Sequence, residues 1–391
     1  MGTGSKVGVT AIATAAMATS TLPLYSISAL GPVLVEDMGL SRLRLGSLVA
    51  VTISAAALLS MAAGRLIDLI GARRGLLGLA GAAMVTLVAA SLADSYGWLL
   101  AALAVAGVGQ ALANPATNLL IRTRIPPPGD GSAVGFKQSG VQLSALLCGL
   151  VLPGVAAEHG WQWGLRTSAA AALVVIIMVV LVRAPVPAPR GRPGRRLPLP
   201  RWLFRLALYC FVLATANAAV AAYLPLFAVQ DLGYRPATGG AVLACFGAAA
   251  VFGRIWWTRR AADRRVRPAT MLTVLAGVAA GCALPLTLAT LPHLEALVWA
   301  GAIGVGATAT AAFAVAMLDV VRHGGDDIGR ASGLVSVGFF LGFGAGPLAF
   351  GWVAAQAGYR AGWLAVAGTL VLAATAGLPF RRMAAPAAVA P

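Results

Sequence analysis

The sequence predicts an all-α, polytopic membrane protein with twelve transmembrane helices arranged as two pseudo-symmetric six-helix bundles. Three observations predict it. The chain is 59% hydrophobic and only 10% charged, where a soluble domain carries about 25% charged residues. About twelve apolar runs reach the roughly 20 residues that one crossing needs. Lysine and arginine gather in alternate connections between those runs. The runs are continuous in Ala, Leu, Val and Gly. That excludes a β-barrel, whose strands alternate apolar and polar residues.

In chain order the runs lie near 8–34, 45–63, 76–93, 98–121, 132–157, 162–182, 203–228, 239–257, 269–290, 295–321, 331–355 and 362–380. Lys6 followed by Val7–Ala18, with Ala16-Met17-Ala18, has the look of a signal peptide. The apolar character continues to Val35, so we read a retained first helix. Basic residues orient the chain, because Lys and Arg stay on the cytoplasmic side. With the N-terminus inside, 23 of the 29 fall in cytoplasmic connections or tails, and Arg42, Arg44, Arg166, Arg235 and Arg360 fall outside. Both termini are thus expected in the cytoplasm and the protein in the inner (plasma) membrane. The net charge of +17 is explained by this bias rather than by nucleic acid, and anionic headgroups are the expected surface partner.

The longest polar connection, Arg183–Arg201, is rich in Pro and Arg and divides the runs six and six. Proline opposes a helix there. The expected domains are residues 1–182 and 203–391, joined by a cytoplasmic linker over 183–202. The halves repeat. Asp37-Met38-Gly39-Leu40 matches Asp231-Leu232-Gly233-Tyr234 at an offset of 194. Gly107-Val108-Gly109 matches Gly304-Val305-Gly306 at 197, and Gly160-Trp161 matches Gly358-Tyr359 at 198.

Between the second and third runs stands Gly64-Arg-Leu-Ile-Asp68-Leu-Ile-Gly71-Ala-Arg73-Arg74. Gly64 lets helices approach closely, and Gly71 permits a tight reversal. Asp68 could accept hydrogen bonds from the N-terminus of a neighbouring helix. The stretch resembles the signature loop between helices 2 and 3 of the major facilitator superfamily, through Gly64, Leu66, Asp68, Gly71, Arg73 and Arg74. Leu69 and Ala72 depart from the family's basic residues. The second copy, Gly253 to Arg264, keeps the charge but not the spacing. The resemblance extends to the six-plus-six organisation. It implies a central cavity, alternating access by rocking of the halves, and a gating role for Gly64, Asp68, Gly71, Arg73 and Arg74.

No enzyme, metal or cofactor site is visible. The chain lacks a phosphate-binding Gly-rich loop followed by Lys-Ser/Thr, a Ser/His/Asp set and paired histidines. Cys148, Cys210, Cys245 and Cys282 lie in four different apolar runs and read as small packing residues. A transport cycle would therefore be gradient-driven or facilitative.

The sharpest residue is Lys137, five residues into the fifth run. An ammonium deep in a membrane helix costs about 2.5–3.5 kcal/mol on insertion scales, so it must face protein or water. Its repeat partner is Val335, so the charge belongs to one half only. It reads either as an anion-binding or coupling cation at the cavity wall or as a side chain snorkelling to the headgroups. Gln138 and Gln142 share a face nearby. The fourth run carries Gln110, Asn114, Thr117 and Asn118 within a wedge of about 100°; they read as a cavity lining or as interhelical glue. Thr10, Thr14, Thr21, Tyr25 and Ser28 form a stripe on the first run, where Tyr25 reads as a ring to stack on a ligand or as an interfacial anchor. The seventh offers Asn217 and Tyr223. Asp319, ending the tenth, reads as a proton-coupling carboxylate or as a salt-bridge partner. The family's drug antiporters usually keep an arginine in the fourth helix, and here none precedes Arg122. The expected protein is a monomeric transporter of a small solute, leaning to an organic anion. The alternatives are proton-coupled efflux of drugs or metabolites and a non-transporting membrane sensor.

Overall fold

Continuous apolar runs bounded by Gly, Pro and charged residues fold as helices, because a helix satisfies its own backbone. A computed structural model of the chain describes residues 3–40, 42–127, 129–181, 199–234, 236–263 and 265–377. Its helices are α1 (Thr3–Ala29), α2 (Gly31–Met38), α3 (Arg42–Ser91), α4 (Tyr96–Arg124), α5 (Gly129–His159), α6 (Trp161–Leu181), α7 (Arg201–Gln230), α8 (Pro236–Ala261), α9 (Pro268–Leu288), α10 (Leu297–His323) and α11 (Ile328–Gly377), with a 3₁₀ turn at Gly325–Asp327. Among the described residues, ten helices are long and apolar enough to cross a membrane. Two of them, α3 and α11, run 50 residues each and break at a non-helical glycine, Gly71 (φ 83°) and Gly358 (φ 78°). Most of the Pro/Arg-rich linker, residues 182–198, and Arg381 and Arg382 lie outside the described residues.

The chain divides into two compact units. One comprises residues 1–198 with 319–340, the other residues 199–318 with 341–391. In the first, α1 packs on α5 across Gly140. A side chain at Gly140 would run into the Thr14 carbonyl of α1. An apolar cluster of Leu30, Leu34, Leu48, Leu99 and Trp161 fills one end. Beside it Ser26 of α1 hydrogen-bonds Ser168 of α6 at 2.8 Å. Gly64 and Gly333 let α3 and the start of α11 touch backbone to backbone, where a Cβ would strike Gly329 or Ser60.

In the second unit the buried Tyr209 hydroxyl donates to the Leu272 carbonyl at 2.8 Å. Gly342 and Gly346 of α11 lie against the backbone of α7 at Phe211 and Thr215. Tyr223, Phe227, Phe350, Tyr359 and Trp363 form a ring cluster with centroids 4.6–6.3 Å apart.

The internal repeat extends to backbone conformation. Gly39 and Gly233 are left-handed at φ 61° and 67°, and Gly160 and Gly358 at φ 87° and 78°. Each pair is matched in the sequence repeat. These are backbone conformations that residues with a Cβ rarely adopt.

Candidate functional site

The site is built inside the first unit from α4, α5 and the first turns of α11. Gly140 draws α5 against α1, and Lys137, one turn earlier, is completely buried. Its Nζ donates to Asn114 Oδ1 at 3.2 Å and to Thr117 Oγ1 at 2.9 Å, both on α4. Gln138 Nε2 donates to the same Asn114 oxygen at 3.1 Å. Two donors converging on one oxygen set the orientation of the Asn114 amide. Its Nδ2 then faces Ser336 Oγ at 3.4 Å, and Asn118 Nδ2 donates to Ser332 Oγ at 2.8 Å. Thr117 gives its hydroxyl proton to the Ala113 carbonyl at 2.6 Å, which leaves a lone pair for Lys137. Among the described residues no carboxylate pairs with Lys137. The result is a buried amino group that meets neutral oxygens among the described residues.

The other expected residues fall in several places. Gln110, one turn before Asn114 on α4, is buried and its Nε2 has no partner among the described residues. Gln142 is half-buried, one turn beyond Gln138. Tyr25 is half-buried against the apolar cluster of the first unit. The hydroxyls of its stripe are spent within α1: Thr10, Thr14, Thr21 and Ser28 donate to carbonyls three or four residues back, as hydroxyls in membrane helices commonly do. Asn217 and Tyr223 belong to the second unit. Asn217 is buried and its Oδ1 has no partner among the described residues, and Tyr223 packs against Phe350 with tilted rings, centroids 4.6 Å apart.

The Gly64–Arg74 stretch makes a second polar cluster, also within the first unit. Asp68 accepts from the backbone N–H groups of Gly329 at 2.6 Å and Arg330 at 2.9 Å. These are among the first N–H groups of α11, which lack partners in their own helix and attract an anion. Gly71 makes the break that turns the chain. Arg73 donates to the Val180 carbonyl at 3.1 Å, and Arg74 is exposed. Burial pushes the Asp68 carboxyl up to about 6, against the N–H donors of Arg330 and Gly329, which pull it down. Asp319 bonds His323 one turn later at 2.9 Å, and that bond raises the imidazole above its ordinary value.

Sequence reasoning missed a buried ion pair. Asp130, 2% exposed, holds Arg322 through two bonds of 2.7 and 2.8 Å, the bidentate geometry that suits a guanidinium. Beside it Arg122 donates to the Val321 carbonyl at 3.0 Å. It also missed Ser332 and Ser336. Their spacing of four after Gly329 was the available signal, since it puts two hydroxyls on one helix face.

Ten helices long and apolar enough to cross a membrane among the described residues, with a polar cluster buried in the first unit, define the class: a multi-pass membrane protein. The family model described as Major Facilitator Superfamily matches residues 9–325, and the chain belongs to that family. No curated protein sequence matches it. Among solved structures it is similar to the human organic anion transporter MFSD10 (TETRAN), at 15% identity and a TM-score of 0.79, covering 95% of this chain and 99% of that one. It is also similar to the proton:xylose symporter XylE bound to 6-bromo-6-deoxy-D-glucose, at 16% identity and a TM-score of 0.81, covering 97% and 96%. The E. coli fucose:proton symporter FucP is 16% identical with a TM-score of 0.76, covering 97% and 100%. At these identities the likeness shows the fold.

Proposed function

We propose that this transporter carries a small organic anion through the inner membrane by alternating access, as a monomer of twelve crossings with both termini in the cytoplasm. The breaks at Gly71 and Gly358 support twelve, because each divides a helix of 50 residues into two membrane-length segments. Residues 1–182 and 203–391 are the two bundles, and 183–202 their linker. Lys137, Gln138, Gln142, Gln110, Asn114, Asn118 and Tyr25 are the candidate substrate-binding residues of the first half, and Asn217 and Tyr223 those of the second. The Asp68 contact with the start of α11 is the gate.

One observation carries the substrate class. Lys137 is fully buried and meets only neutral oxygens. A buried charge normally finds a counter-charge, and here the substrate is the group left to supply it. The likeness to an organic anion transporter agrees with this reading.

The test is uptake of benzoate and lactate into proteoliposomes. Losing a hydrogen bond to a charged group costs about 1.5–3 kcal/mol, so Lys137→Met should lower uptake about 10- to 100-fold. Thermal unfolding of the same variant checks that it folds. Unchanged uptake by a folded variant overturns the role.

A second reading has its own support. Amides are suited to hydroxyl groups, and two of the similar structures are sugar:proton symporters. Uptake of D-xylose or L-fucose with no uptake of carboxylates would favour a neutral polyol.

A further inference from the structure

We propose that the face of α8 ending in Arg259 and Arg260 is a docking site for an anionic phospholipid, with Phe252 and Trp256 against its acyl and glycerol part and the arginines on its phosphate. The proposal rests on the multi-pass fold and does not depend on the substrate or on Lys137.

The placement of side chains around α8 carries it. At 100° per residue, Phe252, Trp256, Arg259 and Arg260 fall within an arc of about 100°, and all four are exposed. The Phe252 and Trp256 rings stack along that arc, with centroids 5.8 Å apart. Arg254, Thr258 and Ala261 fall on the opposite side of the helix and are buried. The aromatic and basic arc therefore points out of the protein.

An exposed ring on a membrane helix meets lipid, and tryptophan collects at the level of the headgroups. Arg259 and Arg260 stand three and four residues beyond Trp256, about 4.5–6 Å further along the axis. Ring first and guanidinium next is the order in which a phospholipid presents its glycerol and then its phosphate. A guanidinium forks onto two phosphate oxygens, and its apolar stem can lie along the chains below.

The charge of this stretch exceeds what orientation requires. The corresponding stretch of the first half, residues 64–74, has three arginines and Asp68, and Asp68 is bonded to the start of α11. Residues 253–267 have six arginines and one acid, Asp263. Asp263 Oδ1 accepts from the backbone N–H of Arg265 at 2.9 Å. Arg265 and Arg267, in the turn that leads into α9, are exposed as well. Without Arg259, Arg260, Arg265 and Arg267 the basic bias along the chain would still be 19 to 5. Arginines clustered at the cytoplasmic end of a membrane helix are the composition that attracts anionic headgroups. Phosphatidylglycerol, a phosphodiester with one negative charge and two acyl chains, fits both the arginines and the rings.

The test is native mass spectrometry of the full-length protein in detergent, titrated with phosphatidylglycerol and separately with phosphatidylcholine of the same chains. The wild type should retain phosphatidylglycerol in preference. Arg259→Gln with Arg260→Gln should weaken that binding about 10- to 30-fold, and Trp256→Ala should weaken it too. Arg65→Gln, which removes an exposed arginine from the first-half stretch, should leave it unchanged. The melting temperature of each variant without lipid checks that it folds. Equal binding of the two lipids overturns the proposal. Equal losses from Arg65→Gln and from Arg260→Gln alone overturn the site in favour of diffuse surface charge. Displacement of the lipid by millimolar inorganic phosphate, with no effect of Trp256→Ala, identifies a site for soluble phosphate and overturns the lipid.

Discussion

Asp68 sits three residues before the Gly71 break in α3, outside the apolar runs expected to cross the membrane, with its carboxyl raised to about 6 by burial. The folded value lies above the unfolded one, so the folded protein holds this proton more tightly. Its contribution to stability is complete below about pH 4 and is lost as the pH rises through about 6. In detergent, the melting temperature should therefore carry a descending step over that interval, and Asp68→Asn should remove it. His323 is raised by its bond to Asp319, so its own step falls above about pH 6.5, and His323→Gln separates the two. A step that survives Asp68→Asn would assign the titration to another group. Asp68 and Lys137 were both legible in the sequence, because an ionised side chain in or beside an apolar run needs a physical reason. Their partners were less so. Ser332 and Ser336 stand more than 200 residues from Asn118 and Asn114, and nothing local pairs a serine with a distant amide. Asp130 is a first-turn acid of α5, and nothing local pairs it with Arg322, 192 residues on.

Single helices show what periodicity can and cannot tell. The hydroxyl stripe of α1 was readable as a face, yet its hydroxyls bond their own helix; a stripe gives direction, not occupancy. Glycine is similarly ambiguous in sequence, because it serves close packing in one place and nothing in another. On α3 the two cases can be compared. A Cβ at Gly64 would run into the backbone of Gly329 and Arg330, whereas a Cβ at Gly81 meets nothing within 4 Å. Gly64→Ala should therefore push α3 and α11 apart and lower stability by about 1–3 kcal/mol. Gly81→Ala should raise it by up to about 1 kcal/mol, the helix propensity gained over glycine. The same substitution thus takes opposite signs on one helix, and thermal unfolding of both variants in the same detergent measures it. Equal effects would mean that the α3–α11 contact contributes nothing.

Across the whole molecule, the repeat was visible at offsets of 194 to 198 and returns as paired left-handed glycines, Gly39 with Gly233 and Gly160 with Gly358. It was legible because left-handed turns select glycine strongly. The proposed crossing number rests on counting apolar runs, and the proposed orientation on the basic bias; both can be tested together. In a background with Cys148, Cys210, Cys245 and Cys282 replaced, single cysteines are introduced as Asp94→Cys, Glu158→Cys and Ala188→Cys. Asp94 follows the third apolar run and Glu158 the fifth, and both side chains are exposed; Ala188 follows the sixth run, in the Pro/Arg-rich linker. A membrane-impermeant maleimide should label the first two on intact cells and the third only after lysis. Labelling of Ala188→Cys from outside, with the other two protected, would invert the orientation and leave the crossing number standing. Labelling of Asp94→Cys and Ala188→Cys from the same side would break the count itself, because an odd number of crossings must separate them.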